Sequence, residues 1–165
     1  MSEGNRPEPP NRAPAVAMVS GFLDFLRATM LWKIDGLADD ALRRPMTPSG
    51  VTLLGMIKHL AYVERYWFGA IMAGEDVWLP HTATDPDADW RIGPEETTAE
   101  IVALCQRETE RARGIVAGFA WDDMAASPKR QVSLGWILTH MVEETARHCG
   151  HADLLREQID GQTGE

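Results

Sequence analysis

Apolar residues along this chain recur at three- and four-residue steps over four separate stretches, the period of a helix with one buried face, and no stretch carries a convincing two-residue period. From Ala15 to about Leu37 the repeating positions are Val19, Phe22, Leu23, Phe25, Leu26, Met30 and Ile34, and Gly36 supplies a stop. The connection "LADDALRRPMTPSG" has room for one short helical turn before Pro45, Pro48 and Gly50 interrupt regular structure. A second helix is expected from about Thr52 to Ala73, with Gly74 just past its end and an apolar face of Leu53, Met56, Leu60, Val63, Trp67 and Ile71. Thr97 and Glu100 stand at capping-box spacing and open a third helix that continues to about Gly118. After the break "WDDMAASPKRQ", a fourth runs from about Ser133 to Ile159 and stops at Gly161.

Between the second and third helices lies "EDVWLPHTATDPDADWRIG", a long polar connection broken by Pro80 and Pro86. Connections of this length inside a compact domain are uncommon and often functional, so its Trp78 and Trp90 are candidates for a pocket lid or a subunit contact. Four long helices without strands predict an all-α fold, a four-helix bundle of antiparallel type with one long connection after the second helix.

Length and charge narrow this picture. A chain of 165 residues suits a single domain, here expected over 15–165. Residues 1–14, "MSEGNRPEPPNRAP", bury too little apolar area to order themselves and are expected to form a flexible tail. Sixteen Lys and Arg against 25 Asp and Glu give a formal net charge of −9, which repels a phosphate backbone and argues against a nucleic-acid partner. No secretory signal precedes the first helix, and no apolar run reaches the roughly 18 to 20 residues of a membrane span, so the expected location is cytoplasmic with no membrane partner. Cys105 and Cys149 lie in separate segments and form no C-x-x-C pair.

The candidate chemistry is concentrated in "EETARHCGH", Glu143 to His151, which places two acids, two histidines and a cysteine in nine positions of the fourth helix. On a helical wheel with His140 at zero, the apolar arc of Leu134, Ile137, Leu138, Met141, Ala152 and Leu155 spans roughly 60–160°. His148 falls inside it near about 80°, with Glu144 and His151 at its margin near about 40° and 20°. Cys149 falls near about 180° and Glu143 near about 300°, away from the group, which disfavours a thiol–imidazole pair of Cys149 with its neighbour. His59 sits at the edge of the apolar face of the second helix, with Glu64 toward the other edge as a hydrogen-bond partner.

Two readings of His59, Glu144 and His148 follow. They form a metal-free His–Glu–His hydrogen-bond network that orders the bundle, or they converge on one cation as two nitrogens and one oxygen, the donor set of an open zinc site. His140 reads as a solvated helix edge, His151 as a neighbour of the site, and His81 in the long loop carries little information.

The stretches "MTPSGVTLLGMIKHLAYVERYWF", carrying His59, and "SLGWILTHMVEETARHCGHADLLREQIDG", carrying Glu144 and His148, resemble the DinB-like superfamily of metal-binding four-helix proteins. That group includes the amino-terminal domain of mycothiol-dependent maleylpyruvate isomerase. The resemblance covers nearly the whole chain after the tail and implies an up-down-down-up helix order, with His59, Glu144 and His148 as ligands of a divalent metal. Many relatives carry histidine where this chain has Glu144; the carboxylate resembles the isomerase branch and favours Zn²⁺, with Ni²⁺ as the alternative. It further implies a metal-dependent thiol transferase acting on a small molecule, with mycothiol or another low-molecular-weight thiol as cosubstrate. The second domain of the isomerase has no counterpart in this sequence, so its substrate contacts and isomerase activity do not carry over. The alternative to the enzyme is a non-catalytic metal or small-molecule binding protein, a homodimer joined through exposed helix faces or the tryptophan loop.

Overall fold

The computed structural model describes residues 6–164. Its elements are α1 (Ala15–Ile34), the short α2 (Asp39–Arg43), α3 (Leu53–Glu64), which continues as a π-helix (Arg65–Met72), a 3₁₀ turn (Ala88–Trp90), α4 (Thr98–Val116) and α5 (Leu134–Asp160). Among the described residues there is no strand, only the isolated bridges Thr82–Asp85 and Met124–Ser133, so the fold is all-helical.

Local chemistry sets the helix ends. Thr52 Oγ1 accepts from Gly55 N–H at 2.9 Å and Ser133 Oγ from Trp136 N–H at 3.2 Å, each occupying an amide left free by the first turn. Thr97 and Glu100 form the reciprocal capping box that their spacing predicts. At the far end of α5, Gly161 takes φ 79°, a left-handed conformation that suits glycine, and donates to Glu157 O at 2.9 Å.

Packing brings α1 along α5 and α3 along α4. Met30, Leu54, Ile57, Cys149 and Leu155 meet in one buried cluster, and Leu23, Phe68, Ile71, Leu138 and Met141 in another. Arg27 on α1 reaches both carboxylate oxygens of Glu64, at 2.7 and 2.6 Å. Burial alone would lower the Arg27 pKa, but the charge and hydrogen bonds of Glu64 outweigh it and raise it. Glu64 is therefore the partner of Arg27 and not of His59: five residues along a helix is a rotation of about 140°, which turns it toward α1.

Two readings of the amino-terminal region change. By length and mean hydropathy α1 does meet the size of a membrane-crossing helix, because the chain from Ala15 to Ile34 carries so few charges. Here it packs lengthwise on α5 and holds the Arg27–Glu64 pair. Residues 6–14 form no helix or strand; Arg6 donates to Thr29 Oγ1 at 3.1 Å and lies over the rings of Phe25 and Trp32 at 4.6 and 4.8 Å. The rest of the expected tail lies outside the described residues.

The π-helical stretch is the element that hydrophobic periodicity did not predict. One extra residue per turn costs backbone geometry, and such segments are found mostly at functional sites. Its carboxyl end is tied down by Ala73 N–H to Phe68 O at 3.0 Å, Ala126 N–H to Met72 O at 3.0 Å and Ser127 N–H to Ile71 O at 3.1 Å. On its outer face Arg65 pairs with buried Glu108 of α4 at 2.6 Å.

Candidate metal centre

Facing turns of α3 and α5 bring together three side chains that are 85 and 89 residues apart in sequence terms from His59 to Glu144 and His148. Glu144 Oε1 lies 3.5 Å from His59 Nε2 and 3.2 Å from His148 Nε2, and one donor atom from each residue falls within 4.8 Å of the other two. Ligand bonds of about 2.0–2.1 Å in a tetrahedron leave donors about 3.3 Å apart, close to the two separations that Glu144 makes with the imidazoles. Glu144 and His148 are one turn apart on α5, which is why both point the same way.

The outer support comes from the long connection. His59 Nδ1–H donates to Asp89 Oδ2 at 2.8 Å, and the ring stacks on Trp90 at 4.0 Å with an interplanar angle of 18°. A histidine whose second nitrogen donates to a carboxylate is fixed in orientation and made a better ligand. The loop is itself fastened to α3. Buried Lys58 donates to Arg91 O at 2.8 Å and to Glu96 Oε2 at 2.7 Å, and the Trp90 carbonyl lies so close to Gly55 that a Cβ there would collide with it.

Charge follows the same geometry. Hydrogen bonds from His148 and His59 hold the Glu144 carboxyl well below the usual carboxylate range despite its partial burial. Burial alone would lower the His59 pKa, but the hydrogen bonds and charges of Asp89 and Glu144 outweigh it and raise it. Two carboxylates thus flank one imidazole in a half-buried setting, a surplus of negative charge that a dication matches.

The three residues stand in the wall of a cavity of about 680 Å³, whose floor includes Met56 and Leu155 and whose rim carries Arg147, His151 and Gln158. His151 is exposed, and its Nδ1 lies 3.5 Å from Nδ1 of His148. His140 lies at a partly exposed edge, where it stacks on Trp136 at 5.1 Å and meets the edge of Trp67 at 4.8 Å, outside the three-residue group. Glu143 pairs with Arg147 on the exposed side. Cys149 packs toward α1, its thiol 3.6 Å from Leu26 O and pushed up to about 12 by burial; Cys105 on α4 is pushed up to about 12 for the same reason.

Sequence reasoning brought out His59, Glu144 and His148 and named Trp90 as a lid candidate, but missed Asp89 and the role of Lys58. The available signal was the loop itself: an acidic residue beside a tryptophan in a connection too long to be a mere turn. Trp78, the other loop tryptophan, stays 68% exposed and touches Tyr62 edge-on at 5.9 Å, away from the three donors.

None of the curated proteins compared with the chain matches it. The sequence model of the family described as mycothiol-S-transferase does match, over residues 18–161, a span that holds all three convergent residues and the loop behind them. By that match the chain belongs to the mycothiol S-transferase family, within the DinB-like superfamily.

Proposed function

We propose that this protein is a metal-dependent thiol S-transferase: His59, Glu144 and His148 hold a divalent ion, Zn²⁺ before Ni²⁺, and mycothiol or a related low-molecular-weight thiol is the cosubstrate. The observation that carries this reading is the convergence of two imidazole nitrogens and one carboxylate oxygen at the wall of a cavity, with one side left open to a ligand. An ion bound there supplies Lewis-acid activation, which lowers the pKa of a thiol or a water. Family membership directs the choice between those two toward the thiol.

The chain's own residues supply the rest. Asp89 keeps His59 in one tautomer and one orientation, and Trp90 covers the ring face that would otherwise meet water. Met56 and Leu155 present an apolar floor that keeps the reacting sulfur away from bulk solvent, while Arg147 and Gln158 at the rim offer donors to a polar thiol. The proposal includes an up-down-down-up helix order within one domain, supported by the pairing of α1 with α5 and of α3 with α4. It also includes a cytoplasmic setting, where small thiols are kept reduced.

Elemental analysis of protein purified without a histidine tag, followed by turnover assays with mycothiol, bacillithiol and glutathione against an aryl halide, tests the reading. One equivalent of zinc and mycothiol-dependent turnover that chelation abolishes and zinc restores is the expected result. Turnover indifferent to chelation overturns the metal role, and stoichiometric metal without turnover by any of the three thiols assigns the site to binding alone.

A further inference from the structure

His59 and Trp90 are the wall between two cavities. On the side away from Glu144 and His148 lies a second one, of about 310 Å³, whose lining includes the rings of Tyr62, Tyr66, Trp67 and Trp90 together with the carboxylates of Asp87 and Asp89. No Lys or Arg belongs to this lining; beside the two carboxylates it holds the imidazoles of His59 and His81, so its formal charge with histidine neutral is negative. Asp89 Oδ2 is taken by His59, but Oδ1 is buried with no hydrogen-bond partner among the described residues. A half-satisfied buried carboxylate is costly and favours a ligand of positive charge beside it.

The π-helix builds the same wall. Tyr66 and Trp67 belong to the Arg65–Met72 segment, so the one stretch of costly backbone in α3 falls where the cavity is lined. The rings already serve as cation acceptors elsewhere on their surfaces: Arg65 lies over Tyr62 at 5.0 Å and Arg130 over Trp67 at 5.4 Å, and neither guanidinium lines the cavity. Electron-rich faces with flanking carboxylates and no Lys or Arg are the chemistry that recognises alkylated ammonium groups. An anion would meet two carboxylates, and a neutral apolar molecule would leave Asp89 unmatched.

We infer that this second cavity is a binding site for a small organic cation of the alkylammonium class. The site goes beyond thiol transfer and needs no metal, because of the three convergent residues only His59 reaches its lining.

The test uses choline and its uncharged isostere 3,3-dimethyl-1-butanol as probes, with two-dimensional NMR of the tryptophan indole N–H groups as readout on the full chain. Choline shifts two indole signals saturably, and the neutral alcohol binds at least tenfold more weakly. Asp87→Asn, at an exposed rim position, weakens choline about threefold, and Tyr66→Leu removes saturable binding. Should Tyr66→Leu fail to fold, the Asp87→Asn comparison still decides. Equal affinity for the two probes, or choline shifts that neither variant alters, overturns the inference. His148→Ala protein separates the two proposals: it keeps its choline affinity whether or not the metal reading survives, so loss of metal with retained choline binding supports both, and loss of choline binding in that folded variant overturns this one.

Discussion

His148 and Cys149 are neighbours on α5 and equally buried, each 6% exposed, yet their surroundings are opposites. His148 faces Glu144 at 3.2 Å and the edges of the His59 and Trp90 rings, each at 5.3 Å, beside a cavity. Cys149, about 100° further round the helix, faces the apolar underside of α1, where its thiol finds one backbone carbonyl and is pushed up to about 12. Equal burial thus sets one residue among polar partners and leaves the next among hydrocarbon, where ionisation of the thiol is suppressed. A cysteine beside a histidine in sequence is therefore no guide to reactivity on a helix. The phase of each residue relative to the open end of the fold decides.

The sharpest way to break this comparison is to remove the imidazole. His148→Ala is expected to lower bound metal from one equivalent to background in elemental analysis, with helical circular dichroism retained, because two remaining donors hold a divalent ion poorly. Unchanged metal content would sink the ligand assignment. Next in size is Asp89→Asn, which keeps the shape of the side chain but removes the charge behind His59. A loss of about 10–100-fold in metal affinity is expected from a competition titration with a chelator of known strength.

Much of this arrangement was legible in the chain because helices announce their faces. The three- and four-residue periods mark out the four long helices and their ends, and the wheel of α5 by itself puts Glu144 and His148 together and Cys149 apart. What periodicity does not encode is the partner across a gap. Asp89 reaches His59 from 30 residues away through a loop with no period, and Glu64 turned to Arg27 because the position of α1 is a tertiary fact. The π-helix was illegible for a related reason: its widened turn depends on ties to Ala126 and Ser127, more than 50 residues on.

Gly55 tests that tertiary layer. A methyl group there meets the Trp90 carbonyl, so Gly55→Ala must push the loop away from α3 or strain the helix start. Overpacking of this kind costs about 1–3 kcal/mol. A melting temperature lowered by several degrees, together with metal affinity weakened severalfold through displaced Asp89, is the expected outcome; an unchanged affinity would show that the loop does not support His59.

A smaller effect separates the metal-free and metal-loaded forms by pH. In the metal-free protein the His59 pKa is raised above its ordinary value of about 6.5, so folding favours its protonated form. That stabilisation is complete below about 6.5 and is lost as pH rises through the folded value, while Glu144, held low, stays ionised across the window. Metal binding needs His59 neutral and so improves over the same rise. Thermal melts from pH 6 to pH 8 should fall for the metal-free protein and rise for the zinc-loaded one; parallel curves would mean that His59 does not exchange its proton for the ion.

The smallest expected effect concerns Cys149. With a pKa of about 12, a thiol at pH 8 is ionised in only about one molecule in ten thousand, and the packed α1–α5 interface blocks reagents as well. Iodoacetamide should therefore leave Cys149 unlabelled in the folded protein over an hour and label it readily in urea, by mass spectrometry of the digested chain. Cys149→Ala should leave metal content unchanged and cost about 1 kcal/mol of stability, since it deletes one buried atom from the contact with α1. Rapid labelling of the folded protein, or metal lost with the thiol, would place Cys149 on the reactive side of α5 and undo the separation that helix phase imposes between it and His148.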